Sequence, residues 1–174
     1  NKGDIYWNTL QELKEQGVIQ KIGYSIYEPT ELDNFFEKFQ PDIIQSPYNI
    51  LDNRLENSGW LQRLSDESVE VHARSIFLQG LLLMSKMHRP FYFKKWDNLW
   101  QKWHQWLKET NSTALEASLS FVNDEDRISK IVVGIDDVKQ LQEIIDASQR
   151  ENKIANTVFF NTDERLINPS KWML

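Results

Sequence analysis

The sequence predicts an α/β fold of four parallel strands with flanking helices. Two observations carry this. Short, strongly apolar segments of strand length alternate with longer stretches whose apolar residues recur at helical spacing. Each strand is also separated from the next by a helix, and a helical crossover returns the chain parallel to the strand it left.

The elements follow in order. Asp4 is placed to cap a first helix carrying Ile5, Leu10 and Leu13 before Gly17, a natural helix stop. A strand is expected around Gln20 to Ser25. Pro29 suits the first turn of a second helix, which presents Leu32, Phe35, Phe36 and Phe39 ahead of the strand Asp42-Ile43-Ile44-Gln45. A third helix, around Gly59 to Leu64, leads to a strand from Val69 to Ser75. The next interval is longer and holds two helices, roughly Lys94 to Lys108 and Thr113 to Val122. Thr113 and Glu116 have capping-box spacing. The fourth strand is Ile131-Val132-Val133-Gly134-Ile135, and Asp136 opens a helix through Leu141 and Ile145.

Such strands suit an open doubly wound sheet or part of a (β/α)8 barrel, and periodicity does not separate the two. Neither GxGxxG nor GxxxxGK[ST] occurs, which tilts the balance to the barrel. A complete barrel has eight strands in about 250 residues. Four strands in 174 residues amount to half of one.

Composition narrows the function. A formal charge of −6 without a basic stripe argues against nucleic acid as a partner. There is no cysteine, and His72, His88 and His104 lack ligand spacing, so no metal site is expected. No apolar run approaches the roughly 18 residues that span a bilayer, so no membrane association is expected. The cysteine-free composition fits a cytoplasmic location.

Four segments, in order, resemble the aldo-keto reductase family. Gly17 to Ser25 (GVIQKIGYS) is similar to its helix-end, strand and G-x-S turn, and Pro41 to Asn49 (PDIIQSPYN) to its D-x-x-Q-x-x-Y-N strand. Val69 to Leu83 (VEVHARSIFLQGLLL) resembles the following strand and Q-G-L-L loop. Ile131 to Gly134 with Gln140-Leu141 resembles the last strand and helix entry. The wording of the third segment and of Arg165 to Trp172 is most similar to bacterial members of surface-polysaccharide and sugar-acid biosynthesis.

The resemblance implies the C-terminal half of a TIM barrel over residues 1–150, with residues 151–174 a tail packing on it. It implies an oxidoreductase that transfers hydride from NADPH or NADH to an aldehyde or ketone. The family's catalytic tyrosine, lysine, aspartate and histidine belong to the first four strands. None maps here, so the chain alone is expected to be inactive and no catalytic residue is assigned. The competing reading is a non-catalytic barrel fragment used as a binding or regulatory subunit. Open sheet edges on a half-barrel would favour a homodimer.

Barrel chemistry gathers at the C-terminal ends of strands, where Ser25, Gln45, Arg74, Ser75 and Gly134 fall. The resemblance assigns Ser25 and Gln45 to the nicotinamide carboxamide; otherwise they cap a turn and satisfy barrel backbone. Ile26 stands where the family often has asparagine, and Arg74 where many members stack a tyrosine. Arg74 could stack, or hold a substrate carboxylate or the cofactor pyrophosphate. Strand alternation equally allows an internal ion-pair ladder of Glu70, His72 and Arg74. Phe77, Gln79 and Gly80 occupy the family's pyrophosphate loop, where glycine permits close backbone approach.

Gly134 and the helix entry at Asp136, Asp137 and Gln140 form the other phosphate-facing site. Two carboxylates there would repel a 2′-phosphate and could accept from a free 2′-hydroxyl, which predicts a weakened NADPH bias or a preference for NADH. Alternatively both only complement the helix dipole. Trp96, Trp100, Trp103 and Trp106 recur with Leu99 and Leu107 at helical spacing, as a packing face or as a sugar-stacking stripe, and His104 lies among them without an evident partner.

Overall fold

The computed structural model describes residues 2–149 and 159–173; the first part of the expected tail, residues 151–158, lies outside them. Helix α1 (Lys2–Glu15) precedes strand β1 (Gly23–Ser25), helix α2 (Thr30–Phe35) and strand β2 (Ile43–Pro47). Helices α3 (Arg54–Asn57) and α4 (Trp60–Asp66) lead to strand β3 (Glu70–Arg74). Helices α5 (Asp97–Glu109) and α6 (Ala114–Asn123) precede strand β4 (Lys130–Ile131), and helices α7 (Val138–Ser148) and α8 (Glu164–Ile167) follow.

All strands pair in parallel, in the order β1-β2-β3-β4. That order separates the two architectures periodicity left open. A doubly wound sheet reverses direction at a switch point, whereas a barrel adds each strand beside the last.

Each pleat face has its own job. Ile44 and Ser46 on β2 and Val71 and Ala73 on β3 are buried, the apolar three packing with Leu32, Phe36, Leu61, Leu64, Leu119 and Val122 from the helices. The opposite face carries Gly23, Ser25, Gln45, His72 and Arg74. Gly23 allows β1 to lie close to β2: a Cβ there would sit 1.9 Å from the carbonyl oxygen of Ile43.

A second core lies under α5. Trp100, Trp103, Trp106 and Leu107 are buried against Leu78, Leu81, Leu82, Leu166 and Ile167, so the tryptophan stripe is a packing face. Trp103 donates its indole N–H to the Leu82 carbonyl (3.2 Å) and Trp100 to that of Phe93 (3.1 Å), which keeps both buried donors satisfied. His104 does have a neighbour, Arg89 Nη2 at 3.2 Å from its Nε2.

Several boundaries differ from those expected. Asp4 lies inside the first turn of α1, paired with Lys38, instead of capping it. Pro29 is the residue before α2 rather than within its first turn. Lys94 belongs to a 3-10 turn, Phe91–Trp96, that delays α5 to Asp97. The segment Val132 to Ile135 leaves the sheet after one bond, Val132 N to the Ala73 carbonyl (2.8 Å), because its neighbour β3 ends at Arg74 and turns at Ser75. The capping box at Thr113 and Glu116 forms in full.

Candidate cofactor cleft

Sheet register sets the floor of the site. Ser25 pairs with Gln45 and Pro47 with Arg74, so the ends of three strands stand side by side. Arg74 reaches back over β2: Nε donates to Ser25 Oγ (3.3 Å), Nη1 to Ser75 Oγ (3.2 Å) and Nη2 to the Ile26 carbonyl (3.0 Å). Its guanidinium also lies over the ring of Tyr27, 4.7 Å from the centroid. The ion-pair ladder therefore stops one rung short. Glu70 pairs with Lys21 and contacts His72 Nε2 (3.3 Å), and these two partners hold its carboxyl below the ordinary value. Arg74 meets no carboxylate among the described residues. Ile26 points its side chain into the core, fully buried, which is why an apolar residue serves there.

Beyond β3 the chain turns sharply. Ser75, Leu78, Gln79 and Gly80 all have positive φ, at 57°, 48°, 53° and 78°. Left-handed backbone costs roughly 1–2 kcal/mol per non-glycine residue, so this loop is held by its surroundings. Leu78 is the anchor, fully buried and donating its N–H to the Ser75 carbonyl (2.8 Å). The N–H groups of Phe77, Gln79 and Gly80 meet no acceptor among the described residues. Gly80 is needed for its conformation, since a Cβ there would face open space.

A network that sequence reasoning did not find braces the loop from below. Asn49 is fully buried; its Nδ2 donates to the Ser75 carbonyl (3.1 Å), and its Oδ1 accepts from the N–H groups of Leu51 and Asp52 (3.0 Å each). Asp52 in turn accepts from Arg54 Nε (2.8 Å) and Nη2 (2.9 Å), and Arg54 Nη2 touches the Tyr27 carbonyl (3.3 Å). The available signal was the polar trio Asn49, Asp52 and Arg54 interrupting an apolar segment after β2.

These elements enclose a cleft of about 790 Å³. Gln45, Arg74, Ser75, Phe77, Gln79, Gly80, Gly134, Asp136 and Gln140 line it; Ser25 and Asp137 do not. Ser25 is instead a partner of Arg74. Asp137 is the N-cap of α7, accepting from Gln140 N (2.8 Å), while Gln140 Oε1 accepts from Asp136 N (3.0 Å). Two amides that an incoming anion would use are thus already engaged. Leu115, Ile144 and Glu143 also line the wall, unforeseen because they come from helix positions rather than strand ends. Gly134 is spacious, with nothing near a Cβ added there.

Tyr24 and Tyr48, near the floor, pack against aromatic rings. Tyr24 lies against Trp7, and burial pushes its hydroxyl up to about 12. Tyr48 is buried against Phe121 and donates to Glu56 Oε2 (3.2 Å); burial first, and then Glu56, raise its pKa. No cluster of three or more metal-ligating side chains, and no helix long and apolar enough to cross a membrane, occurs among the described residues.

Sequentially ordered parallel strands with a cleft at their C-terminal ends define a (β/α)-barrel type of site. Residues 4–157 match the Aldo/keto reductase family, and the chain belongs to it. It is similar to "Uncharacterized oxidoreductase YqkF" of Bacillus subtilis (strain 168), 24% identical over 149 residues, covering 79% of this chain and 47% of that protein. Over 73 residues it is 36% identical to the "NADH-specific methylglyoxal reductase" of Escherichia coli (strain K12), covering 42% of this chain and 22% of that protein. Among solved structures it is similar to the apo form of aldo-keto reductase AKR11C1 from Bacillus halodurans, with TM-score 0.66 and 19% identity over 86% of this chain and 52% of that one. The chain thus spans about half the length of the Bacillus subtilis relative and of the solved reductase.

Proposed function

We propose that the protein containing this chain is an oxidoreductase that reduces an aldehyde or ketone with a reduced nicotinamide dinucleotide, and that this chain supplies the cofactor-holding rim. The observation that carries the reading is the convergence of strand ends, unpartnered loop amides and a helix entry on one cleft, in a chain of the aldo/keto reductase family. The volume is in the range of small-molecule and cofactor sites.

The residues suit the group. The Gln45 side chain makes no hydrogen bond to any described residue, and its amide offers both donor and acceptor to a carboxamide. The free N–H groups of Phe77, Gln79 and Gly80 suit a pyrophosphate. The cofactor, when bound, supplies the hydride; the protein's share on this side is to hold and orient it and to keep water out. No tyrosine of this chain takes the general-acid role.

The helix entry favours NADH. With the α7 entry capped by Asp137 and a second carboxylate, Asp136, at the cleft wall, a 2′-phosphate would meet negative charge and few free amides. The "NADH-specific" Escherichia coli relative supports the same choice. The test is carbonyl-dependent oxidation of NADH and NADPH by the complete protein over a panel of aldehydes and ketones. Oxidation of NADH at least as efficient as that of NADPH is expected; failure to oxidise either would overturn the proposal.

A further inference from the structure

We infer that Arg74 is a carboxylate handle, so that the carbonyl compound reduced in this cleft is an oxo acid rather than a neutral aldehyde or ketone; this rests on the reductase reading above.

The argument begins with charge pairing. In a chain of net charge −6, acceptors for a cation are plentiful. Arg54 pairs with Asp52, Arg63 with Glu37 and Glu67, Arg127 with Glu56 and Glu125, and Arg165 with Asp163. Among the described arginines only Arg74 and Arg89 have no carboxylate. Arg89 lies outside the cleft, against Trp100 and the Met84 carbonyl. Arg74 stands in the cleft wall.

Its donors are only partly used. A guanidinium carries five N–H groups, and Arg74 commits one from each nitrogen, to Ser25, Ser75 and the Ile26 carbonyl. One N–H is left on each terminal nitrogen. A carboxylate, with two acceptor oxygens, can take a donor from each terminal nitrogen, and the contacts to β1 together with the Tyr27 ring hold the guanidinium in place before any ligand arrives. Pre-organisation of this kind spares the ligand the ordering of a flexible cation. A neutral substrate would leave a partly desolvated charge facing the cleft unanswered.

Two measurements on the complete protein test this. In binding, calorimetric titration compares butyrate with butyramide, equal in size and different in charge. Butyrate should bind about tenfold tighter or better, and Arg74→Gln should abolish the difference while Arg74→Lys keeps part of it. In turnover, succinic semialdehyde should exceed butanal in kcat/KM by about tenfold to a hundredfold, a ratio that Arg74→Gln collapses. Equal binding of butyrate and butyramide by the unmodified protein overturns the inference, whether or not the variants fold. So does a butyrate preference that survives in Arg74→Gln. If Arg74→Gln weakens NADH and leaves the butyrate preference intact, the guanidinium serves the cofactor pyrophosphate and the inference is wrong. If neither aldehyde is reduced but the butyrate preference depends on Arg74, the handle stands and the reductase reading is what fails.

Discussion

Arg74 and Ser25, two strands apart, are joined by a hydrogen bond of 3.3 Å that passes over the end of β2. The same guanidinium holds the Ile26 carbonyl (3.0 Å), so one side chain from β3 fixes the position where the chain leaves β1. Arg74→Met should therefore destabilise the fold by about 1.5–3 kcal/mol, the worth of a hydrogen bond to a charged group. Urea denaturation measures it; a change under about 0.5 kcal/mol would mean that the contacts to β1 are incidental.

Asn49 ties the loop after β2 to the loop after β3. Replacing it with leucine leaves the N–H groups of Leu51 and Asp52 and the Ser75 carbonyl without their side-chain partner. The expected cost is roughly 2–4 kcal/mol in urea denaturation, with faster amide exchange at Leu78.

Trp103 is fully buried and donates to the Leu82 carbonyl. Trp103→Ala should cost about 3–5 kcal/mol by cavity formation. A sugar-stacking role would instead predict a small effect on stability, so the same urea midpoint distinguishes the two.

The Arg127 guanidinium holds Glu125 by two bonds of 2.6 Å and lowers its carboxyl below the ordinary value of 4.5. A depressed folded-state pKa contributes stability that is fully present above the unfolded value and is lost as pH falls through the folded one. Unfolding free energy should therefore decline as pH drops below about 4.5, and Glu125→Gln should flatten part of that decline. An identical slope in the variant would show that the Glu125–Arg127 pair contributes nothing.

What the sequence made legible was whatever depends on local pattern. The alternation that puts Glu70, His72 and Arg74 on one face of β3 and the capping box at Thr113 are periodicity and spacing, and both appear as read. The candidate rim was legible through wording shared with a family, which brought nine residues to one cleft. What escaped was tertiary. Asn49 shows nothing in sequence of its bond to Ser75, which lies 26 residues on. Asp137 was read either as facing a ligand or as complementing the dipole of its own helix, and its carboxylate caps the first turn of that helix. The strand at Val132 to Ile135 was overread because β-branched residues look alike in an edge strand and in the extended segment beyond it.

The central claim is that the end of β2, the turn at Ser75 to Gly80 and the entry to α7 hold a nicotinamide dinucleotide. Its most direct test is an equilibrium titration of the complete protein with NADH and NADPH, repeated for Gln45→Ala. The account predicts saturable NADH binding, NADPH no tighter, and about tenfold weaker NADH binding in the variant. NADPH bound tenfold tighter than NADH, or NADH binding that Gln45→Ala leaves unchanged, would contradict it.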